Sequence, residues 1–174
     1  MSAGEAADVL ARLYPRLIGS LEAGTGGPFV AGVLLGGELV GWGTNTVLRD
    51  RDVTRHAEMN ALGDAGRRTG RVHLEGALLV TSHFPCLMCF HAAKWAAIRD
   101  IRYFFGYEET ERIFGFRGDA RMLADLGLRQ DALDNDPAVR LTRIEDARLD
   151  ELYRRDLAEA WSSTYRARCG AYDV

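Results

Sequence analysis

The 174-residue chain is short of several things, and each shortage narrows what it can be. Three cysteines are too few for a disulfide framework, so the thiols are expected to stay reduced, as in a cytoplasmic protein. No apolar stretch approaches the roughly 20 residues that a membrane-spanning helix needs, so no membrane partner is expected. The opening "MSAGEAADVLARLYPRLIGS" is acidic before it turns apolar, and it lacks the hydrophobic run of a secretory signal. Cationic excess is missing as well: 22 Lys and Arg against 25 Asp and Glu leave a net charge of -3. A partner held through its phosphates wants a basic surface, so nucleic acid is disfavoured, and "GRR" at 66–68 is too short to reverse that. No repeat, low-complexity tract or Pro/Ser-rich linker divides the chain, and one domain over 1–174 is expected.

What is present alternates between two periods. Val9, Leu10, Leu13, Leu17 and Leu21 recur at helical spacing, with Pro15 expected to bend that helix. "FVAGVLL" and "ELVGWGTN", joined by Gly36-Gly37, read as a β-hairpin, because paired glycines suit the positive φ angles of a tight turn. A helix is expected from His56 to about Gly70, a buried strand over 77–82, a helix from Cys86 to Arg99 and a strand over 101–107. Strand–helix–strand order implies parallel pairing. A helix over 119–126, a short strand over 139–143 and a long helix from about Asp146 to Tyr165 complete the pattern. The fold class is therefore α/β, a three-layer α/β/α sandwich with a mostly five-stranded mixed sheet covered by helices on both faces.

Two short segments carry chemistry. "RHAEMNAL" (55–62) places His56 and Glu58 two apart at a helix start, and "SHFPCLMCF" (82–90) places Cys86 and Cys89 three apart after Pro85. If Cys86 opens a helix, both thiols face one side of its first turn. Thiolates and a neutral imidazole are zinc ligands, and a helix N-terminus favours thiolates further. Three protein ligands leave one tetrahedral position for water, the catalytic arrangement. Glu58 can then stand beside the metal without binding it and move protons, first from water and then to a leaving amine. Alternatives stay open at this point. Cys-x-x-Cys alone suits a redox pair or a buried core, and a structural zinc would want a fourth ligand from His73, His83, His91 or Cys169. A scaffold without activity would have no use for Glu58.

The constellation H-x-E…P-C-x-x-C is the signature of the nucleobase zinc deaminases. With "HAE" and "PCLMC" in place, the chain resembles the cytidine deaminase-like superfamily over roughly 26–130. It looks most like the branch holding bacterial guanine deaminases and tRNA adenosine deaminases. The resemblance implies one Zn2+ per chain, on His56, Cys86 and Cys89, with Glu58 catalytic. It also implies substrate contacts. Asn45 would hydrogen-bond the base and Phe29 of "GGPF" would stack on it, with Ala57 beside them. Trp95 of "KWAAI" would stand near the pocket, Asp119 of "GFRGD" is a shifted candidate for the base's amino group, and Tyr172 sits on a tail that would close the site. The expected activity is hydrolytic release of ammonia from an aminated purine base, guanine or a close analogue. A nucleoside, cytosine or another aminated heterocycle is the alternative, ahead of a tRNA substrate. A homodimer is implied as well. Departures from the family pattern include Phe84 where glutamate is usual, His83 before it, and Val53 in place of a proline.

Overall fold

A computed structural model describes residues 3–169. Helix α1 (Ala3–Glu22) runs unbroken through Pro15. Strands β1 (Val30–Leu35) and β2 (Glu38–Thr44) then form the hairpin, with Leu35 opposite Glu38 and Gly36 and Gly37 at φ 61° and 86°. A short helix α2 (Val47–Asp50) leads to α3 (Ala57–Thr69), followed by β3 (Leu78–His83), α4 (Leu87–Trp95) and β4 (Asp100–Phe105). Beyond them come α5 (Tyr107–Phe114), α6 (Gly118–Asp125), α7 (Gln130–Asp134) and β5 (Arg140–Arg143). The last helical segment, 147–169, alternates α turns with wider π turns at Asp150–Leu157 and Trp161–Tyr165.

The sheet order is β2-β1-β3-β4-β5. β1 is antiparallel to both of its neighbours, whereas β3, β4 and β5 are parallel. Because side chains alternate along a strand, β1 and β3 each feed two cores. Val30, Leu34, Leu78 and Val80 meet the leucines of α1 and the apolar stripe Leu149, Tyr153, Leu157 and Trp161 of the C-terminal segment. Ala31, Val33 and Leu79 meet Ala57, Ala61 and Ala65 of α3 and Phe90 and Ala93 of α4. This is a mixed five-stranded sheet with helices on both faces, an α/β/α sandwich. Among the described residues, no helix is long and apolar enough to cross a membrane.

Two glycines of β2 set the position of α3. A Cβ on Gly41 would lie 2.4 Å from the Ala65 nitrogen, and one on Gly43 would lie 2.6 Å from the Ala57 carbonyl oxygen. Glycine on the strand and alanine on the helix thus let the two backbones approach closely, which fixes the depth of the helix start carrying His56.

Three local expectations need correction. The helix after Cys86 stops at Trp95, not Arg99, because Ala97 adopts a left-handed conformation (φ 61°) and turns the chain into β4. The following strand ends at Phe105, and residues 107–114 form a helix that the strand-like "YFFGY" concealed. Its start is marked by Glu109, whose carboxylate accepts the Gly106 N–H at 3.1 Å. The C-terminal helix extends to Cys169.

Candidate active site

Parallel strands leave their connecting helices starting at one edge of the sheet, and that edge gathers the chemistry. His56 is the N-cap of α3 and Cys86 the N-cap of α4. The imidazole Nδ1 lies 3.5 Å from the Cys86 sulfur, and the Cys86 sulfur accepts the Cys89 N–H at 3.5 Å. One ligand atom from each of His56, Cys86 and Cys89 falls within 4.8 Å of the others, and among the described residues no fourth side chain joins the group. His91 instead lies 2.8 Å from the Leu87 carbonyl, and Cys169 is buried among the leucines on the other face of the sheet.

The electrostatics of the cluster fit a thiophilic dication. Two thiols this close cannot both ionise unaided. Cys89 donates to Cys86, which together with the neighbouring imidazole outweighs burial and lowers the Cys86 thiol to about 4. The same sharing, with burial, pushes the Cys89 thiol well up. Burial opposes a charge on His56, but the Cys86 thiolate beside it prevails and raises the imidazole to about 9. Cys89 and His56 therefore hold protons, and Cys86 a negative charge, where a zinc ion would supply the positive charge. Two sulfurs and one imidazole nitrogen are zinc's preferred donors, and the residues present fit that ion.

Glu58 lies in the first turn of α3 and is almost wholly buried. Its Oε1 accepts a hydrogen bond from the Thr81 hydroxyl at 2.8 Å, tying it to β3. Burial, reinforced by the Cys86 charge, raises its carboxyl above the ordinary glutamate range despite the countering imidazole. A carboxyl shifted this way at neutral pH is suited to taking a proton and giving it back.

A cavity of about 400 Å³ opens onto His56, Glu58 and Cys86, and its further walls include Phe29, Asn45, His83, Phe84, Phe116, Asp119 and Met122. That volume is in the range of small-molecule sites. Asn45 is held rigidly, since its Oδ1 accepts the N–H groups of Gly27 (3.3 Å) and Val47 (3.2 Å). With the carbonyl end so occupied, the NH2 end is the one left to meet a ligand. Phe29 packs edge-on against His83 (centroids 4.6 Å apart) and Phe116 (5.0 Å). Phe84, where glutamate is usual, is buried between Tyr103 and Tyr107, and the Tyr107 hydroxyl donates to the Pro85 carbonyl at 2.8 Å, bracing the turn into Cys86.

The structure thus brings Phe29, Asn45 and Asp119 to the cavity with His56, Glu58 and Cys86, but two expected contacts elsewhere. Ala57 is fully buried against β2 and takes no part in the cavity wall. Trp95 is 82% exposed and away from the cavity. It follows Cys89 by six residues, about 240° around the helix, so an α4 that turns Cys89 inward turns Trp95 outward. Tyr172 lies outside the described residues. Sequence reasoning did not place His83, Phe84, Phe116 or Met122 in the wall. For Phe116 and Met122 a signal existed, since apolar residues flank Asp119 on both sides.

Residues 19–105 match the family described as the cytidine and deoxycytidylate deaminase zinc-binding region. Over 91 residues the chain is 36% identical to guanine deaminase from Bacillus subtilis, covering 52% of this chain and 57% of that protein. Over 74 residues it is 35% identical to tRNA-specific adenosine deaminase from Aquifex aeolicus, covering 42% of this chain and 49% of that one. The chain spans about half the length of these two curated relatives. Its backbone is similar to that of a protein solved in complex with 2,6-diaminopurine, with a TM-score of 0.66 and 26% identity over 92% of this chain and 85% of the other.

Proposed function

The chain belongs to the cytidine and deoxycytidylate deaminase zinc-binding family, and from that premise we propose that it is a zinc-dependent hydrolytic deaminase of free aminated purine bases, guanine first. Glu58 carries this reading: a buried carboxyl, anchored by Thr81, beside two cysteines and a histidine at the end of an aromatic cavity. His56, Cys86 and Cys89 would hold one zinc ion per chain. When bound, zinc would supply the Lewis acidity that lowers an attacking water's pKa to about 7.

The remaining work falls to the chain's own side chains. With Oε1 held by Thr81, Oε2 of Glu58 takes the proton as the water oxygen adds to the amino-bearing carbon. The same carboxyl returns it to the amine, the C–N bond breaks and ammonia leaves, and the remaining hydroxyl proton passes to the adjacent ring nitrogen, so that the ring carries a carbonyl. Phe29 stacks on the planar base, and the Asn45 NH2 donates to its edge. A free base matches such a slot better than a nucleoside, whose ribose hydroxyls would need polar partners of their own, at about 1–3 kcal/mol for each one left unpaired. Support from relatives points the same way, because guanine deaminase and a diaminopurine complex are among the proteins this chain is similar to. Assembly as a homodimer belongs to the same proposal.

The test is ammonia release by the purified, zinc-loaded protein across guanine, guanosine, adenine, cytosine and cytidine. The highest kcat/KM is expected for guanine. A preference for a nucleoside or a pyrimidine would replace the purine-base reading, and no release from any of them would overturn deamination itself.

A further inference from the structure

His83 stands outside the H-x-E and P-C-x-x-C motifs, and its surroundings are unusual. It is the last residue of β3, 2% exposed, and its ring packs against Phe29, Phe105 and Phe114 at the end of the strand that anchors Glu58 through Thr81. The ring is one wall of the cavity. Its Nδ1 is 2.9 Å from the Ser82 hydroxyl oxygen, whereas its Nε2 is buried without a hydrogen-bond partner. A buried orphan of this kind is uncommon and calls for a reason.

The proton can be assigned from Ser82. Its Oγ already accepts the Val30 N–H at 3.0 Å. The Ser82 hydroxyl hydrogen needs an acceptor of its own, and the His83 Nδ1 lone pair supplies it. Nδ1 is then unprotonated, and in a neutral imidazole the hydrogen sits on Nε2. Burial lowers the imidazole to about 3, so the ring is neutral at physiological pH. His83 accordingly presents a buried Nε2–H with no acceptor. Among the described residues none is nearby: the adjoining rings are Phe29, Phe105 and Phe114. The carboxylate of Glu109 is committed to Arg143, Arg154 and the Gly106 N–H. The ring lines the cavity, and a ligand that enters it and displaces the Phe29 ring packed on His83 is the remaining source.

We propose that His83 is a specificity-determining residue, whose Nε2–H donates to a carbonyl oxygen on the substrate ring and so selects oxo-substituted aminated heterocycles over their amino- or hydrogen-substituted analogues. This rests on the deaminase reading above and narrows its substrate class. A ring bearing an amino group at that position would set donor against donor, and one bearing hydrogen would leave the Nε2–H unmet. Discrimination of about ten- to a hundredfold in kcat/KM is the size expected of one such buried hydrogen bond.

Guanine, 2-aminopurine and 2,6-diaminopurine share the amino group at carbon 2 and differ only at carbon 6, where they carry oxygen, hydrogen and nitrogen. Wild type should favour guanine by that factor. His83→Leu should compress the three kcat/KM values to within about threefold with zinc content retained, while His83→Gln, whose amide can donate, should recover part of the preference. An unchanged guanine preference in His83→Leu, or an equal loss on all three bases, would overturn the proposal. If wild type releases ammonia from none of them, the purine reading fails, and His83 is then judged by imidazole 15N NMR of the zinc-loaded protein. A hydrogen on Nε2 supports the donor, and a hydrogen on Nδ1 overturns it.

Discussion

The two faces of the sheet are built on opposite terms. The face under α1 and the C-terminal helix is filled by leucines, aromatics and a buried thiol, and its buried tyrosine and tryptophan are hydrogen-bonded: the Tyr153 hydroxyl donates to the Leu10 carbonyl and the Trp161 Nε1–H to the Phe114 carbonyl. The face under α3 and α4 buries a carboxyl, two thiols and an imidazole at the helix starts, and alanine replaces leucine where α3 meets the strands. Apolar burial contributes about 25 cal/mol per Å², whereas buried ionisable groups cost stability until something partners them. One face therefore supplies the stability that lets the other hold strained chemistry in place. Mutations on the two faces should be separable, activity from one and folding from the other.

The largest effect is expected at Glu58. Glu58→Gln should retain zinc and melt near wild type, yet lose at least about 10²–10⁴-fold in kcat, because the amide keeps the shape but cannot shuttle protons. Steady-state ammonia release with zinc analysis of the same sample checks it, and activity within a few-fold of wild type would assign the proton work elsewhere. On the opposite face, Leu17→Ala should do the reverse. Leu17 is fully buried in α1, so truncation should cost about 2–5 kcal/mol in denaturant unfolding, with kcat/KM of the folded enzyme unchanged. A changed KM would show that the faces are coupled.

Smaller effects sharpen the contrast. Phe29→Ala should raise the base's Kd by the equivalent of about 1–3 kcal/mol if the ring stacks on it, measurable by calorimetry with the Glu58→Gln protein. The smallest concerns Glu109, which joins α5 to β5 and the C-terminal helix through Arg143 and Arg154. Burial opposes its charge, but Arg154, the Gly106 N–H and Arg143 outweigh that and hold its carboxyl below the usual glutamate value of 4.5. A carboxyl lowered by folding adds stability above its unfolded value, and the gain is lost as pH falls through the folded one. The melting difference between wild type and Glu109→Gln should therefore be constant at neutral pH and close below about pH 4.5, amounting to about 1 kcal/mol for ion pairs this near the surface. A difference that persisted at pH 3 would mean packing, and not charge, accounts for it.

Legibility in the sequence followed the range of the interaction. The Gly36-Gly37 hairpin, the leucine ladder of α1 and the start of α3 at His56 were readable because a turn's φ angles and a helix's 3.6-residue period are set by neighbours in the chain. Helix α5 was missed for the same reason, as its aromatic lead-in "YFF" belongs to the preceding strand. Trp95 was misplaced because resemblance assigns a neighbourhood, while the rotation of α4 assigns a direction.

By itself the sequence determined the inventory: which residues are able to ligate, to shuttle a proton and to stack, and the short spacings that put Glu58 two residues from His56 and Cys89 about one turn from Cys86. Tertiary structure alone decided which of these meet. The approach of His56 to Cys86 across thirty residues depends on α3 lying flat on the glycines of β2 and on α4 starting at the end of β3, a distance that no local period encodes. The same holds for His83. Its neighbour Ser82 is adjacent in the chain, but the bond from Val30 that turns the serine's hydrogen toward the ring comes from another strand, and so the buried Nε2 without a partner exists only in the folded sheet.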